Sequence, residues 1–283
     1  MKKIREFLAT VLEHKATPYV GASVILFIIF IPILWTLITS FKTLEESFFS
    51  PPTYIPKTPT LEAYREVIFN SPVPLYILNS VIYATSTTFC VLVGSVFTAY
   101  GLSRYPYKGS GMVLGSFLAS RIIPPLSLLL PFYIIYKILG LIDSKLAVVI
   151  FTVYLCYPLS VWILKTFFDD YPQDLMDAAL IDGCSRLGVL FRVVMPGIAV
   201  GIAAVAIISF LWTWQEFLSP YLFLNSDQNK PITVGVYYFV GDELTYWNSI
   251  SAAAIFASIP GIVFFLIAQK FIIKGLTLGG VKG

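Results

Sequence analysis

Asp177 and Asp182 bracket the small side chains Ala178 and Ala179, and Gly183 follows, in the run Tyr171 to Pro196, Y-P-Q-D-L-M-D-A-A-L-I-D-G-C-S-R-L-G-V-L-F-R-V-V-M-P. Carboxylates beside a strip with no bulky side chain suit recognition of another protein, because hydrogen-bond acceptors stand where a partner's backbone can come close. Two further charges stand alone in apolar surroundings: Arg121 in S-R-I-I-P-P and Glu216 in W-T-W-Q-E-F-L-S-P. An ionisable group at membrane depth is costly and faces the bundle interior or a water-filled path. Trp212, Trp214 and Gln215 beside Glu216 offer aromatic faces and a planar amide, groups that hold sugars; the same aromatics also serve helix packing and membrane interfaces.

Bond-making chemistry has no comparable constellation. The phosphate-cradling G-x-x-x-x-G-K-S/T, the zinc-binding His-Glu-x-x-His and the nucleophile elbow G-x-S-x-G do not occur. Cys90, Cys156 and Cys184 lack metal or redox spacing and read as free thiols, and the single histidine, His14, reads as a solvated residue of the N-terminal segment. The expectation is a chain with no metal site, no bound cofactor and no ATPase or hydrolase centre. Energy for any work must come from a partner or an ion gradient, or is not needed.

The elements that position these residues are membrane spans. Hydrophobic residues make up 57% of the 283 residues and charged ones 12%, against about 25% in soluble domains. About 20 apolar residues cross the hydrocarbon, and the charge-free runs predict an all-α polytopic protein with six spans: Tyr19 to Thr39, Asn79 to Tyr100, Gly109 to Tyr136 with Arg121 inside, Leu146 to Leu164, Gly197 to Leu224 with Glu216 inside, and Ile250 to Gln269. The first has no cleavage site and reads as a retained span. With the N-terminus inside, twelve Lys and Arg fall in inner segments and six in outer loops, so the positive-inside rule puts both termini and the 171–196 loop in the cytoplasm. The layout is an N-terminal segment 1–18, a membrane domain 19–274 with outer loops 42–78 and 225–249, and a glycine-rich tail 275–283.

The 171–196 loop reads as two short helices. Pro172 suits a helix start, Asp174 and Asp177 suit the positive end of the dipole, and Met176, Ala179, Leu180 and Gly183 share a face. Asp182-Gly183 is a stop, Ser185 a cap for the second helix, and Leu187, Leu190, Phe191 and Val194 repeat at helical spacing before Pro196. An amphipathic segment lying on the membrane is the plainer reading. Binding of nucleic acid is excluded by charge: Asp169, Asp170, Asp174, Asp177 and Asp182 outnumber Lys165, Arg186 and Arg192.

The loop resembles the EAA motif of ATP-binding-cassette importer permeases, with Asp177-Ala178-Ala179, then Gly183, then Val193 and Met195-Pro196. Trp212 to Pro220 and the ending G-L-T-L-G-G-V-K-G, Gly275 to Gly283, resemble the permeases for maltose-like sugars. Asp177 stands where the family has glutamate, Cys184 where alanine is common and Gln215 where asparagine is frequent. The resemblance implies a multi-pass permease of the cell (inner) membrane that imports a disaccharide or oligosaccharide. A homologous second permease, two ATPase subunits that use ATP and Mg, an extracytoplasmic solute-binding protein and membrane lipid would be its partners. It also implies that Asp177, Ala178, Ala179, Asp182 and Gly183 couple to the ATPase, and that Arg121, Trp212, Trp214, Gln215 and Glu216 line the path. Val234, Gly235, Val236, Tyr237 and Tyr238, in an outer loop whose alternation predicts a hairpin or extended segment, would meet the binding protein, and the tail would enter the ATPase interface. The alternatives are a secondary transporter driven by an ion gradient, with Glu216 as its coupling carboxylate, and a membrane anchor that recruits a cytoplasmic enzyme.

Overall fold

The computed structural model describes residues 17–241 and 244–279, with side chains for 19–241 and 244–270. The basic N-terminal segment with His14, and the last four residues of the tail, lie outside the described residues. The architecture is helical. In chain order the helices are α1 Thr17–Ser40, α2 Glu62–Phe69, α3 Val73–Arg104, α4 Ser110–Ser120, α5 Pro125–Ile138 and α6 Lys145–Asp169. They continue with α7 Gln173–Ile181, α8 Arg186–Gly197, α9 Ala199–Trp214, α10 Leu218–Phe223, the short α11 Ile232–Gly235 and α12 Trp247–Gly279. Four of these, α1, α3, α6 and α12, are long and apolar enough to cross a membrane; the count becomes six if each of two bent pairs, α4 with α5 and α8 with α9, is one span.

Prolines and one carboxylate explain where the boundaries depart from the charge-free runs. The second span begins at Val73 rather than near Asn79, because Pro72 and Pro74 occupy the cap and first turn of α3, where a missing N–H leaves no hydrogen bond unmade. The third expected span is bent by 98° at Arg121–Pro124, where Pro124 and Pro125 withhold two backbone donors. The fifth is not one helix from Gly197 to Leu224. Helix α9 stops at Trp214, and the Glu216 carboxylate accepts bonds from Ser219 N (3.1 Å) and Ser219 Oγ (2.6 Å) at the start of α10. The sixth span runs on to Gly279, so that the first residues of the glycine-rich tail are helical.

The chain divides into two compact units, one running to Ser71 and including Tyr238–Phe256, the other holding Pro72–Tyr237 and continuing from Ala257. In the first, none of the most apolar window of α1 is buried. Lys42, 2% exposed, lies 4.5 Å from the centre of the Trp35 ring and donates to the Thr53 carbonyl at 2.6 Å. Glu46 accepts from Lys57 N at 2.9 Å and from Thr53 Oγ1 at 2.7 Å, and those two donors hold its carboxyl below the usual carboxylate range.

The second unit is built on α3 and α6, which run parallel. Lys145 Nζ meets Asn79 Oδ1 at 2.7 Å near their N-terminal ends, Thr87 and Thr152 share a hydroxyl hydrogen bond of 2.8 Å midway, and Ser103 donates to Asp169 at 2.6 Å at the C-terminal ends. The core between them, with Val91, Val161, Leu164 and Phe168, continues into the α7–α8 loop through Val189, Leu190 and Val194. The charged loop therefore shares a core with the bundle instead of lying apart from it.

Candidate functional site

The 171–196 loop has the two helices and the turn that its spacing predicts. Pro172 caps α7 and Asp174 sits in its first turn. Gly183 has φ +87°, a conformation that costs glycine little and a side-chain-bearing residue more. Ser185 Oγ accepts from Gly188 N at 3.1 Å to start α8. Met176 is buried, and Ala179 packs half-buried against the bundle core. Asp174, Leu175, Asp177, Ala178, Ile181 and Asp182 face outward. Ile181 is 85% exposed, so α7 presents an apolar strip of Leu175, Ala178 and Ile181 flanked by three carboxylates. An exposed apolar strip rimmed by charge is the surface pattern of a protein or membrane contact.

The loop is tied down at its root. Arg104, the last residue of α3, donates through Nη2 to the carbonyls of Phe168 and of Tyr171, the latter at 2.7 Å. Tyr171 reaches across to give its hydroxyl to the Val193 carbonyl at 3.2 Å. Arg186 stacks over the Tyr105 ring at 5.5 Å, and Lys165 pairs with Asp169 at 2.6 Å. Arg104, Arg186, Tyr105 and Asp177 line an open cleft of about 570 Å³ along the flank of α7. Arg104 carries no motif signal. Its part is set by a bond to residues more than sixty positions away in sequence, which local pattern does not encode.

The five residues expected along the path are not all gathered. Arg121 ends α4 at the bend, donates Nη1 to the Leu155 carbonyl at 3.0 Å and lies 5.9 Å from the centre of the Trp212 ring. Together with Ser120 and Tyr154 they line a cleft of about 500 Å³. Arg121, Trp212 and Gln215 are exposed in this chain. Trp214 instead stacks on Phe210, ring centres 5.8 Å apart, and lies against Gly261. Glu216 is occupied with Ser219, and its backbone carbonyl takes Thr233 Oγ1 at 2.8 Å. No ion pair joins Arg121 to Glu216 among the described residues.

The segment around Val234, expected as a hairpin or extended stretch of an outer loop, is neither over residues 232–239. Helix α11 covers Ile232–Gly235 and a 3-10 turn follows over Val236–Phe239, with a single antiparallel bridge between Val240 and Thr245. Val234 and Gly235 are buried, Val236 is half-buried, and Tyr237 and Tyr238 are exposed. Gly235 lies against Tyr76, whose ring occupies the position that a Cβ on Gly235 would take. Asp143 was not legible in the sequence as functional or structural. With φ +61°, it accepts bonds from Ser226 Oγ, Ser226 N at 2.9 Å and Asn225 N at 3.0 Å. The Ser226 bonds hold its carboxyl down at about 2. It fastens the α5–α6 connection to the segment after α10.

A sequence model of the family described as "Binding-protein-dependent transport system inner membrane component" matches residues 79–278. A sulfoquinovosyl glycerol transport system permease of Agrobacterium fabrum is 33% identical over 276 residues, covering 98% of this chain and 97% of that protein. A trehalose/maltose transport system permease of Thermococcus litoralis is 31% identical over 268 residues, covering 93% and 95%. In structure, the chain is similar to one from a bacterial ABC transporter involved in import of the acidic polysaccharide alginate, with TM-score 0.77, 17% identity, and coverage of 91% of this chain and 98% of the other.

Proposed function

The chain belongs to the family of binding-protein-dependent transport system inner membrane components, and on that premise we propose that it is the permease subunit of an ATP-driven importer for sugars. It forms half of a translocation path with a homologous permease. Two cytoplasmic ATPase subunits drive it, an extracytoplasmic solute-binding protein supplies a disaccharide, short oligosaccharide or sugar glycoside, and both termini lie in the cytoplasm. The observation that carries the coupling role is the outward face of α7: Leu175, Ala178 and Ile181 exposed among Asp174, Asp177 and Asp182, on a helix whose root Arg104 binds to the ends of α3 and α6. A helix fixed to the bundle and uncovered outside can carry a partner's movement into the spans; a lipid-lying helix has no need of carboxylates on that face.

The relatives named for sugar transport support the substrate class. Arg121, Trp212 and Gln215, exposed on one chain, are the residues proposed to line the path. The test is uptake by proteoliposomes that hold this chain, the second permease and the ATPase, with the solute-binding protein and labelled sugar outside. Uptake that requires internal ATP and is lost with Ala178→Trp supports the reading. Uptake that follows an imposed ion gradient without ATP would establish a secondary transporter instead.

A further inference from the structure

Within the first unit, two adjoining clefts share Glu66, Tyr246 and Ser249. Glu62 and Asn248 complete one of them, and Tyr238 the other. No basic side chain lines either. Glu62 and Glu66 stand one helical turn apart on α2, so both carboxylates fall on the same stretch of surface. Glu66 Oε2 accepts from Asn70 Nδ2 at 3.0 Å, which leaves the other oxygen available.

Asn248 adds an independent sign that something is bound here. It is 6% exposed. Its amide nitrogen donates to the Lys42 carbonyl at 3.4 Å; that carbonyl can only accept, so the amide orientation is fixed. The Oδ1 edge is then turned away from Lys42, and it is buried with no hydrogen-bond donor among the described residues. A buried acceptor without a donor costs about 1–3 kcal/mol, and the residue that carries it lines the same cleft as Glu62 and Glu66. Two carboxylates, an unmet amide oxygen and the tyrosines Tyr238 and Tyr246 together favour a group with several N–H donors and a positive charge. A guanidinium or ammonium group fits, since it bonds to the oxygens and rests on the aromatic faces. Each cleft is an open groove of about 500 Å³, which admits a long side chain from outside.

We propose that this groove receives a lysine or arginine side chain of the external solute-binding protein. The inference rests on the function proposed above, in which the 42–78 segment is external, and it adds the chemistry of the contact: the importer offers the anion and the binding protein the cation. Charge pairs of this kind act on the association rate and are weakened by salt.

The assay uses the whole importer in lipid nanodiscs and the purified binding protein loaded with its sugar, with affinity measured at low and high salt. The Glu62→Gln/Glu66→Gln variant keeps side-chain shape, and Glu62→Lys/Glu66→Lys reverses the sign. The expected result is weaker binding at low salt, about tenfold for the reversal and less for the neutral pair, with the difference shrinking at high salt. Reversing a lysine or arginine on the binding protein then restores affinity for the reversed importer. Unchanged affinity in both variants, in an importer whose uptake still depends on the binding protein, overturns the docking proposal alone. Loss of the second permease from the purified complex of the Gln variant also overturns it, as does tight binding of calcium by the isolated importer that the Gln variant abolishes. A wild-type complex whose uptake ignores the binding protein overturns the functional reading and this proposal with it.

Discussion

A Cβ placed on Gly197 would lie 2.2 Å from Cε2 of the Tyr171 ring. The ring therefore rests directly on the backbone at the end of α8, and from there its hydroxyl reaches the Val193 carbonyl. Gly197→Ala forces the ring away, which costs about 1–3 kcal/mol as overpacking, while Tyr171→Phe removes only a hydrogen bond worth about 1 kcal/mol. Thermal unfolding in detergent is expected to rank Gly197→Ala below Tyr171→Phe. Adding Tyr171→Ala to Gly197→Ala is expected to recover part of the loss, and purely additive losses would deny the contact.

Ala178 and Ala179 are neighbours with opposite surroundings, one exposed and one packed on the bundle core. Ala178→Trp is expected to leave the melting temperature unchanged and to cut ATP-dependent uptake about tenfold or more by holding the partner off. Ala179→Trp is expected to destabilise the chain itself by about 1–3 kcal/mol. Pattern alone treats both as contact residues, since small side chains look alike in sequence; side-by-side melting and uptake measurements separate them.

Asp143 has a carboxyl pKa near 2 in the folded chain against 3.8 without its partners. A depressed value means that the stability it contributes is complete above about pH 4 and lost as pH falls from there through about 2. Asp143→Asn tolerates the positive φ and cannot ionise. The wild type is expected to lose melting temperature between about pH 4 and pH 2 faster than Asp143→Asn; parallel curves would show that the Ser226 bonds carry no such weight.

Arg121 and Glu216 each have a separate partner, the Leu155 carbonyl and the Ser219 amide and hydroxyl. Exchanging the two charges, Arg121→Glu with Glu216→Arg, is expected to rescue neither assembly nor uptake lost in the single variants. Glu216→Gln, which can still accept from Ser219, is expected to cost less stability than Glu216→Leu. Rescue by the exchange would mean that the two meet in a state other than this one.

Much of this was legible because a membrane makes charge informative. The absence of Lys, Arg, Asp and Glu between Lys15 and Lys42 delimits α1 closely, and Gly183 and Ser185 mark the loop's turn and cap by residue type alone. Proline was harder to read. Pro74 looks like a barrier before Asn79, yet it lies in a first turn and is harmless, whereas Pro124 and Pro125 do break a helix. Residues 232–239 misled because a run of β-branched and aromatic residues reads as extended, whereas here it folds into short helical turns that bury Ile232, Val234, Gly235 and Phe239. Deleting 234–241 would consequently remove core as well as surface, and Tyr237→Ala and Tyr238→Ala are the cleaner probes of an outer contact. Arg104 and Asp143 were silent in the sequence because their bonds join segments remote in the chain.

The parallel pairing of α3 and α6 has polar clamps at both ends and one at the middle: Asn79 with Lys145, Thr87 with Thr152, and Ser103 with Asp169. Sliding one helix past the other by a turn, about 5.4 Å, would break all three at once, the one between Thr87 and Thr152 in the buried core. The pair thus has no ratchet available to it and behaves as a strut of fixed length. On the coupling proposed above, a push delivered at the Arg104 end would reach the Asn79 end as rotation or tilt of the two helices together.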